Sequence, residues 1–176
     1  SLVAEMTSEN FSMDTPGKKQ FEIRREIINP LKWTSETPNL YTLKMELLSE
    51  NGAVQDIAEQ RIGFKETLID GEVFLLNGVP LKVNATNSHT QHADLGHVIT
   101  EDIIRQDFEM LKQFNFNAVR TSHYPPVNKY LQLANEYGLY IIDEAGVEAH
   151  ATQYVCNLPE YSEMYRERAR KMVLRD

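Results

Sequence analysis

The chain has little cysteine, no excess of basic charge and no long apolar run, and each shortage excludes a class of protein. Cys156 is the only cysteine among 176 residues, which excludes an intrachain disulfide and a cysteine-based zinc site. The net charge of −8 argues against nucleic acid and anionic membrane as partners. No apolar run approaches the roughly 18 residues of a membrane-spanning helix. The composition, 41% hydrophobic, predicts a soluble globular protein, and both cytoplasm and periplasm stay open.

The first 70 or so residues have the two-residue period of β-strands. Apolar and polar residues alternate over 21–27 and over 41–47, which predicts strands with one buried face. Asn51-Gly52 lies between apolar stretches and is a dipeptide that tolerates the positive φ angles of a tight hairpin turn. Asn77-Gly78 predicts a second short hairpin, near the point where the pattern changes. This part of the chain therefore predicts antiparallel sheet.

After residue 95 the pattern alternates between helix and strand. Thr100 is a suitable N-cap for a first helix, and Gly138 is a suitable left-handed end for a second helix that Pro126 opens. Such alternation predicts a parallel sheet, either an open one or part of a closed (β/α)8 barrel. The predicted strands are 81–84, 117–121 and 139–142, and a last helix covers 159–176.

Polar side chains follow the ends of all three predicted parallel strands. These strand-end residues are Asn87 and His89, then Arg120 and His123, then Glu144, Glu148 and His150. Parallel strands place their carboxyl ends at one edge, where barrels and open sheets both carry their active sites. Taken singly, a carboxylate at a strand end is more often an ion-pair partner, and a histidine is more often a capping or core residue. Together the residues predict one polar site.

Several motifs occur in an order that resembles glycoside hydrolase family 2. They are Trp33-Thr34-Ser35-Glu36-Thr37-Pro38-Asn39-Leu40-Tyr41, Gly63-Phe64-Lys65-Glu66, Leu76-Asn77-Gly78, Arg120-Thr121-Ser122-His123-Tyr124-Pro125 and Asp143-Glu144-Ala145. The resemblance runs from about residue 21 onward and is closest to the β-galactosidase branch, because of Glu148-Ala149-His150. It implies a partial immunoglobulin-like β-sandwich over residues 1–68. It also implies that residues 69–176 are the first βα units of a (β/α)8 TIM barrel.

The resemblance further implies roles for the strand-end residues. His89 and His123 would hydrogen-bond the sugar at the transition state, and Arg120 would orient a neighbouring catalytic carboxylate. Asn87 and Glu144 would support the same pocket, while Glu148 and His150 would be magnesium ligands. Two ligands alone hold magnesium weakly, so this pair is expected to stay empty or water-filled. The family's Asn-Arg-His-Glu motif is replaced here by Asn87-Ser88-His89-Thr90, which leaves the sugar open.

Two other hypotheses stay open at this point. The chain could be a non-catalytic module that binds carbohydrate or protein, or it could belong to a family 2 enzyme for another sugar, such as a β-glucuronidase. Convergence of the strand-end side chains on one concave face favours a β-galactoside site, whereas scattered side chains favour the binding module. An incomplete parallel sheet also predicts self-association, as a homo-oligomer, through exposed sheet edges.

The resemblance places both catalytic glutamates beyond residue 176, so the 176-residue chain is expected to be inactive alone. Retaining glycosidases need two carboxyl groups about 5 Å apart. Purified chain incubated with a chromogenic β-galactoside should release no more chromophore than a mock purification from cells lacking the chain. Hydrolysis above that control would contradict the expectation.

Overall fold

The structure is a computed structural model that describes residues 2–13 and 15–176, and it divides into two units, 1–31 and 32–176. In the first unit the rings of Phe11 and Phe21 lie 4.7 Å apart, with the ammonium group of Lys19 over both. The described part of this unit contains neither helix nor strand, so the strand predicted at 21–27 is wrong. Its side chains are mostly exposed and no neighbouring strand pairs with them, and alternation without a partner does not make a sheet.

The second unit opens with an antiparallel hairpin. Strands β1 (Tyr41–Leu48) and β2 (Val54–Ile62) pair along their lengths, from Tyr41 opposite Ile62 to the turn. Gly52 in that turn has a φ of 81°, which confirms the turn predicted at Asn51-Gly52. The hairpin is one layer, whereas a sandwich needs two packed sheets. The immunoglobulin-like sandwich over residues 1–68 therefore stays a prediction.

A second antiparallel sheet contains β3 (Thr67–Asp70), β4 (Val73–Leu76) and β5 (Val79–Pro80), in that order. Asn77 and Gly78 have φ angles of 51° and 81°, and positive φ at both central residues is what a type I′ hairpin turn requires. The second predicted hairpin is therefore confirmed.

A three-stranded parallel sheet follows, with β7 (Ala118–Thr121) between β6 (Ala85–Ser88) and β8 (Tyr140–Ile142). Helices α1 (Glu101–Gln113) and α2 (Asn128–Tyr137) connect successive strands. The strand-helix alternation predicted from the sequence is confirmed. The parallel pairing places the carboxyl ends of all three strands at one edge of the sheet.

The first strand of this sheet begins at Ala85, after the run at 81–84 that the sequence favoured. Two asparagines explain the difference. The side-chain oxygen of Asn117 accepts from the backbone N–H of Asn84 at 2.8 Å, and its amide nitrogen donates to the carbonyl of Lys82 at 2.8 Å. The side chain of Asn84 donates to the carbonyl of Asn115 at 3.0 Å. Ahead of β6, side-chain amides thus supplement the backbone hydrogen bonds, of which the carbonyl of Asn84 accepts one from Asn117 at 3.0 Å.

Helices α1 and α2 form the main core with the sheet. Thr100 caps α1 as predicted, since its hydroxyl accepts from the N–H of Ile103 at 3.4 Å. Helix α2 begins two residues after Pro126 and ends at Gly138, whose φ of 70° confirms the predicted left-handed end. Leu133 is the buried leucine of α2. The buried core residues are Ile104, Phe108, Val119, Tyr130, Leu133, Ala134 and Leu139.

Trp33 attaches the segment before β1 to the corner between α2 and β8. Its indole N–H donates to the carbonyl of Asn135 at 2.8 Å, and the side chain is only 3% exposed. Lys112 donates to the carbonyl of Ser35 at 2.9 Å from α1. Trp33 is therefore a packing residue and cannot be a stacking platform for sugar.

The last helix, α3 (Pro159–Arg175), confirms the helix predicted at 159–176. None of its residues is buried, and Val173 is 71% exposed. Arg168 donates to the carbonyl of Gly146, and Arg175 donates to the carbonyl of Pro126 at 2.8 Å. Among the described residues, no helix has the length and apolar character needed to cross a membrane.

Gly138→Ala should destabilise this unit more than Gly78→Ala. Both glycines have positive φ, which costs an alanine roughly 1–2 kcal/mol. A Cβ at Gly138 would also overlap the carbonyl oxygen of Ser35, whereas nothing lies within 4 Å of a Cβ at Gly78. Overlap with backbone adds roughly 1–3 kcal/mol. Urea unfolding of both variants measures the difference, and equal midpoints would show that Ser35 does not pack against this turn.

Candidate functional site

The carboxyl ends of β6, β7 and β8 bring polar residues together. Asn87 lies opposite Arg120 in the parallel register, and Arg120 lies opposite Ile142. Glu144 and Glu148 follow in the loop after β8. The strand order therefore gathers side chains that are far apart in the sequence at one edge of the sheet.

The Glu144 carboxylate joins Arg120 to His123. Arg120 donates through Nε to Oε1 of Glu144, and Nδ1 of His123 lies 2.8 Å from Oε2. A carboxylate can only accept, so the proton of the neutral imidazole is on Nδ1. Arg120 Nη2 lies 3.3 Å from the same Nδ1, but both atoms are then donors and do not hydrogen-bond. Nε2 of His123 is left with a free lone pair.

Glu144 is an ionised carboxylate that holds Arg120 and His123 in place. Burial alone would raise the pKa of Glu144, but the hydrogen bonds from His123 and Arg120 outweigh it and lower the pKa below its usual value. A carboxylate that is ionised at neutral pH and engaged through both oxygens is not a general acid. Glu144 therefore fits a supporting role.

Behind this cluster, Thr121 and Asp143 form a second set of hydrogen bonds. No role for Thr121 was predicted from the sequence. The Thr121 hydroxyl donates to Oδ1 of Asp143 at 3.0 Å, and the backbone N–H of Glu144 donates to the same oxygen at 3.0 Å. Oδ2 of Asp143 is buried without a hydrogen-bond partner among the described residues. Burial, with the Asp176 carboxylate as a second cause, raises the pKa of Asp143. No sequence signal marks Thr121, because its partner is known only from the strand register.

An open cavity of about 700 Å³ lies at this edge of the sheet. His89 and His123 contribute to its wall, with their ring centroids 5.5 Å apart and their planes at 77°. Glu148 lines it from the loop after β8, and Oε1 of Glu148 is 3.8 Å from Nε2 of His123. Tyr124 also lines the cavity and donates through its hydroxyl to the carbonyl of His89. Histidine nitrogens and a carboxylate facing a half-open cavity of this size are suited to binding hydroxyl groups.

Five of the seven predicted site residues are brought together, namely His89, Arg120, His123, Glu144 and Glu148. Asn87 is exposed beside Arg120 on the neighbouring strand. The His150 side chain is 88% exposed and does not line the cavity. The roles given to these residues stay predictions.

Magnesium fits this set only in part. Among residues 2–13 and 15–176, no three His, Cys, Asp or Glu side chains are grouped to hold a metal ion. Glu148 Oε1 and His150 Nδ1 are 3.8 Å apart. Adjacent ligands of an octahedral magnesium ion lie about 3 Å apart, since each bond is about 2.1 Å. The two side chains can therefore be two ligands of a cation after a small movement, but not a complete magnesium site.

Comparison with known proteins identifies the class. Residues 67–176 match the model for glycosyl hydrolases family 2, TIM barrel domain, and residues 2–65 match that for glycosyl hydrolases family 2. Because the barrel match alone covers more than half of the sequence, the chain belongs to glycosyl hydrolases family 2. It contains part of the barrel domain and residues of a preceding domain. The boundary expected between residues 68 and 69 stays a prediction.

Relatives and solved structures come from two activities within this family. A β-galactosidase of Vibrio vulnificus strain YJ016 is 44% identical over 150 residues, which are 84% of this chain and 14% of that protein. One from Lactococcus lactis strain IL1403 is 36% identical over 159 residues, 89% of this chain and 16% of that protein. The chain thus spans less than a fifth of these relatives. A β-glucuronidase from Ruminococcus gnavus, solved in complex with D-glucuronic acid, has a TM-score of 0.64 and 35% identity, over 67% of this chain and 20% of that one.

Glu144→Gln should reduce the loss of stability on acidification. Because the pKa of Glu144 is lower in the folded than in the unfolded chain, its carboxylate stabilises the fold above the unfolded pKa, and this stabilisation is lost as pH falls through the folded pKa. The parent and the variant should therefore differ most at neutral pH and converge in acid.

Urea unfolding midpoints across that pH range measure the convergence. Glu72→Gln is the control, because Glu72 is an exposed carboxylate for which the structure shows no ion pair among the described residues. A constant gap between Glu144→Gln and the parent at every pH would contradict the role of the Glu144 charge.

Proposed function

We propose that the chain supplies part of the sugar pocket of a retaining β-galactosidase, which hydrolyses terminal non-reducing β-D-galactosides. The observation that supports this is the gathering of His89, His123 and Glu148 around one cavity, with Arg120 and Glu144 tied to His123. A non-catalytic module would be expected to scatter these residues. Their grouping therefore favours the glycosidase.

In this proposal His123 and His89 bind the sugar through hydrogen bonds. Glu144 holds the proton on Nδ1 of His123, so Nε2 accepts from a sugar hydroxyl. The Arg120–Glu144 pair keeps an arginine fixed beside the position of a catalytic carboxylate. Retaining hydrolysis uses one carboxylate as nucleophile and a second carboxyl group as acid and then base, through a glycosyl-enzyme intermediate. Both are assigned to residues outside 1–176.

Galactose is favoured over glucuronic acid as the sugar. The β-galactosidases of V. vulnificus and L. lactis are 44% and 36% identical over most of this chain, and Glu148-Ala149-His150 matches that branch. The second candidate is a β-glucuronidase, which the likeness to the R. gnavus enzyme supports.

Glu148 and His150 are proposed as two ligands of a magnesium ion beside this pocket. A bound magnesium ion would supply positive charge next to the sugar and orient its own waters. With two protein ligands, magnesium should bind weakly to the 176-residue chain, and calorimetric titration with magnesium would measure this affinity.

Self-association through exposed sheet edges also stays a prediction, and exposed Leu68, Ile69 and Phe74 on β3 and β4 are consistent with it.

The proposal is tested by NMR titration of the labelled 176-residue chain with D-galactose and, separately, with D-glucuronic acid. Galactose should shift resonances of His89 and His123 more than glucuronic acid does. His123→Ala should weaken galactose binding about fivefold, the value of one ordinary hydrogen bond. His92→Ala is the control, because His92 does not line the cavity and its Nδ1 accepts from the N–H of Asp94.

Three results would overturn the proposal. Preferential shifts with glucuronic acid would favour the β-glucuronidase. Absence of shifts with both sugars would favour the binding module with another ligand. Equal weakening by His92→Ala and His123→Ala would show that the effect is not local to the cavity.

A further inference from the structure

We propose that Thr121 and Asp143 are positioning residues that direct the Glu144 carboxylate and thereby select the tautomer of His123. Neither residue lines the cavity. Both lie behind it, where β7 ends and the chain leaves β8. Their effect on sugar binding rests on the function proposed above, whereas their effect on His123 does not.

Three polar groups form a closed arrangement, which we call the strand-end clamp: the Thr121 hydroxyl, Oδ1 of Asp143 and the backbone N–H of Glu144. The hydroxyl and the N–H each lie 3.0 Å from Oδ1, and the N–H lies 3.3 Å from the hydroxyl oxygen. Thr121 is 1% exposed, so water cannot easily replace a lost partner there. The clamp therefore fixes the backbone at Glu144 to the adjacent strand.

The fixed backbone determines where the Glu144 side chain begins. From that point Oε1 reaches Arg120 and Oε2 reaches Nδ1 of His123 at 2.8 Å. The two neutral tautomers of an imidazole are close in energy, so the better hydrogen bond decides which one is present. A displaced Glu144 would remove the acceptor that holds the proton on Nδ1. Nε2 would then carry the proton in part of the molecules and would no longer be a uniform acceptor.

Asp143 performs its part of the clamp without needing a charge. Oδ1 accepts both hydrogen bonds, while Oδ2 is buried without a partner among the described residues. Burial and the neighbouring Asp176 carboxylate raise the pKa of this carboxyl, and Oδ1 can accept both hydrogen bonds whether or not Oδ2 carries a proton. An asparagine keeps the accepting oxygen and an alanine removes it. The clamp therefore predicts different outcomes for these two substitutions.

The test compares Thr121→Val, which keeps the shape and removes the hydroxyl, with Thr121→Ser, which keeps the hydroxyl. The imidazole nitrogens of His123 are observed by ¹⁵N NMR in the 176-residue chain at a pH of about 8.5, about two units above the pKa of free histidine. In the parent the two nitrogen resonances should be well separated, with Nδ1 protonated. Thr121→Val should move them toward each other, because exchange averages two tautomers, and Thr121→Ser should restore the separation.

Asp143→Asn and Asp143→Ala form the second pair of variants. The His123 nitrogen resonances of Asp143→Asn should be separated as in the parent, and those of Asp143→Ala should move toward each other as in Thr121→Val. Backbone amide spectra identify any variant that unfolds, and the remaining variants decide the question. If the His123 nitrogen resonances stayed as well separated as in the parent in both folded Thr121→Val and folded Asp143→Ala, the clamp would be overturned. It would also be overturned if these resonances were as close together in Thr121→Ser as in Thr121→Val. The NMR measurement uses no sugar, so failure of the clamp and failure of the sugar proposal are distinguishable.

Discussion

The parallel pairing of β6, β7 and β8 is the constraint on which the rest of this unit depends. Helices α1 and α2 cover one face of the sheet, where Phe108 and Tyr130 meet edge to face with their centroids 4.7 Å apart. That packing stabilises three short strands that would be marginal alone. Once they are parallel, residues separated by some 20 to 60 positions in sequence, such as His89, His123 and Glu144, are brought to one edge. The site is thus a consequence of topology.

The site has two layers, one at the surface and one buried, and the two layers have different chemical roles. At the surface, His89, His123 and Glu148 present lone pairs and charge to the cavity. Deeper in, hydrogen bonds among Thr121, Asp143 and the backbone of Glu144 hold the groups that face outward. Mobile side chains on loops bind poorly because ordering them costs entropy, and a buried supporting layer removes that cost before a ligand arrives. This division fits membership of glycosyl hydrolases family 2, in which the chain contains part of the TIM barrel domain.

Local patterns predicted the elements well where a neighbouring part of the chain completes them. The alternation of apolar and polar residues in β1 is followed by the turn at Asn51-Gly52, which brings β2 back as a pairing partner, and the hairpin is present. The same alternation at 21–27 had no such turn, and those residues form no strand. The strand-end rule located the cluster around His123, because it depends only on strand direction. The role of Thr121 was not predicted, because its hydrogen bond to Asp143 depends on the register between β7 and β8, and no sequence pattern specifies that register.

The attachment of Trp33 to α2 has a practical consequence for how this molecule can be observed. Trp33 is the only tryptophan in the sequence, and it lies buried against Asn135 at the corner that precedes β8. Intrinsic tryptophan emission of the chain consequently comes from one place, on the side of the sheet opposite to the strand ends that carry the cavity. A shift in emission therefore reports a change in the surroundings of Trp33, where the segment around residues 32–39 packs against the helix layer.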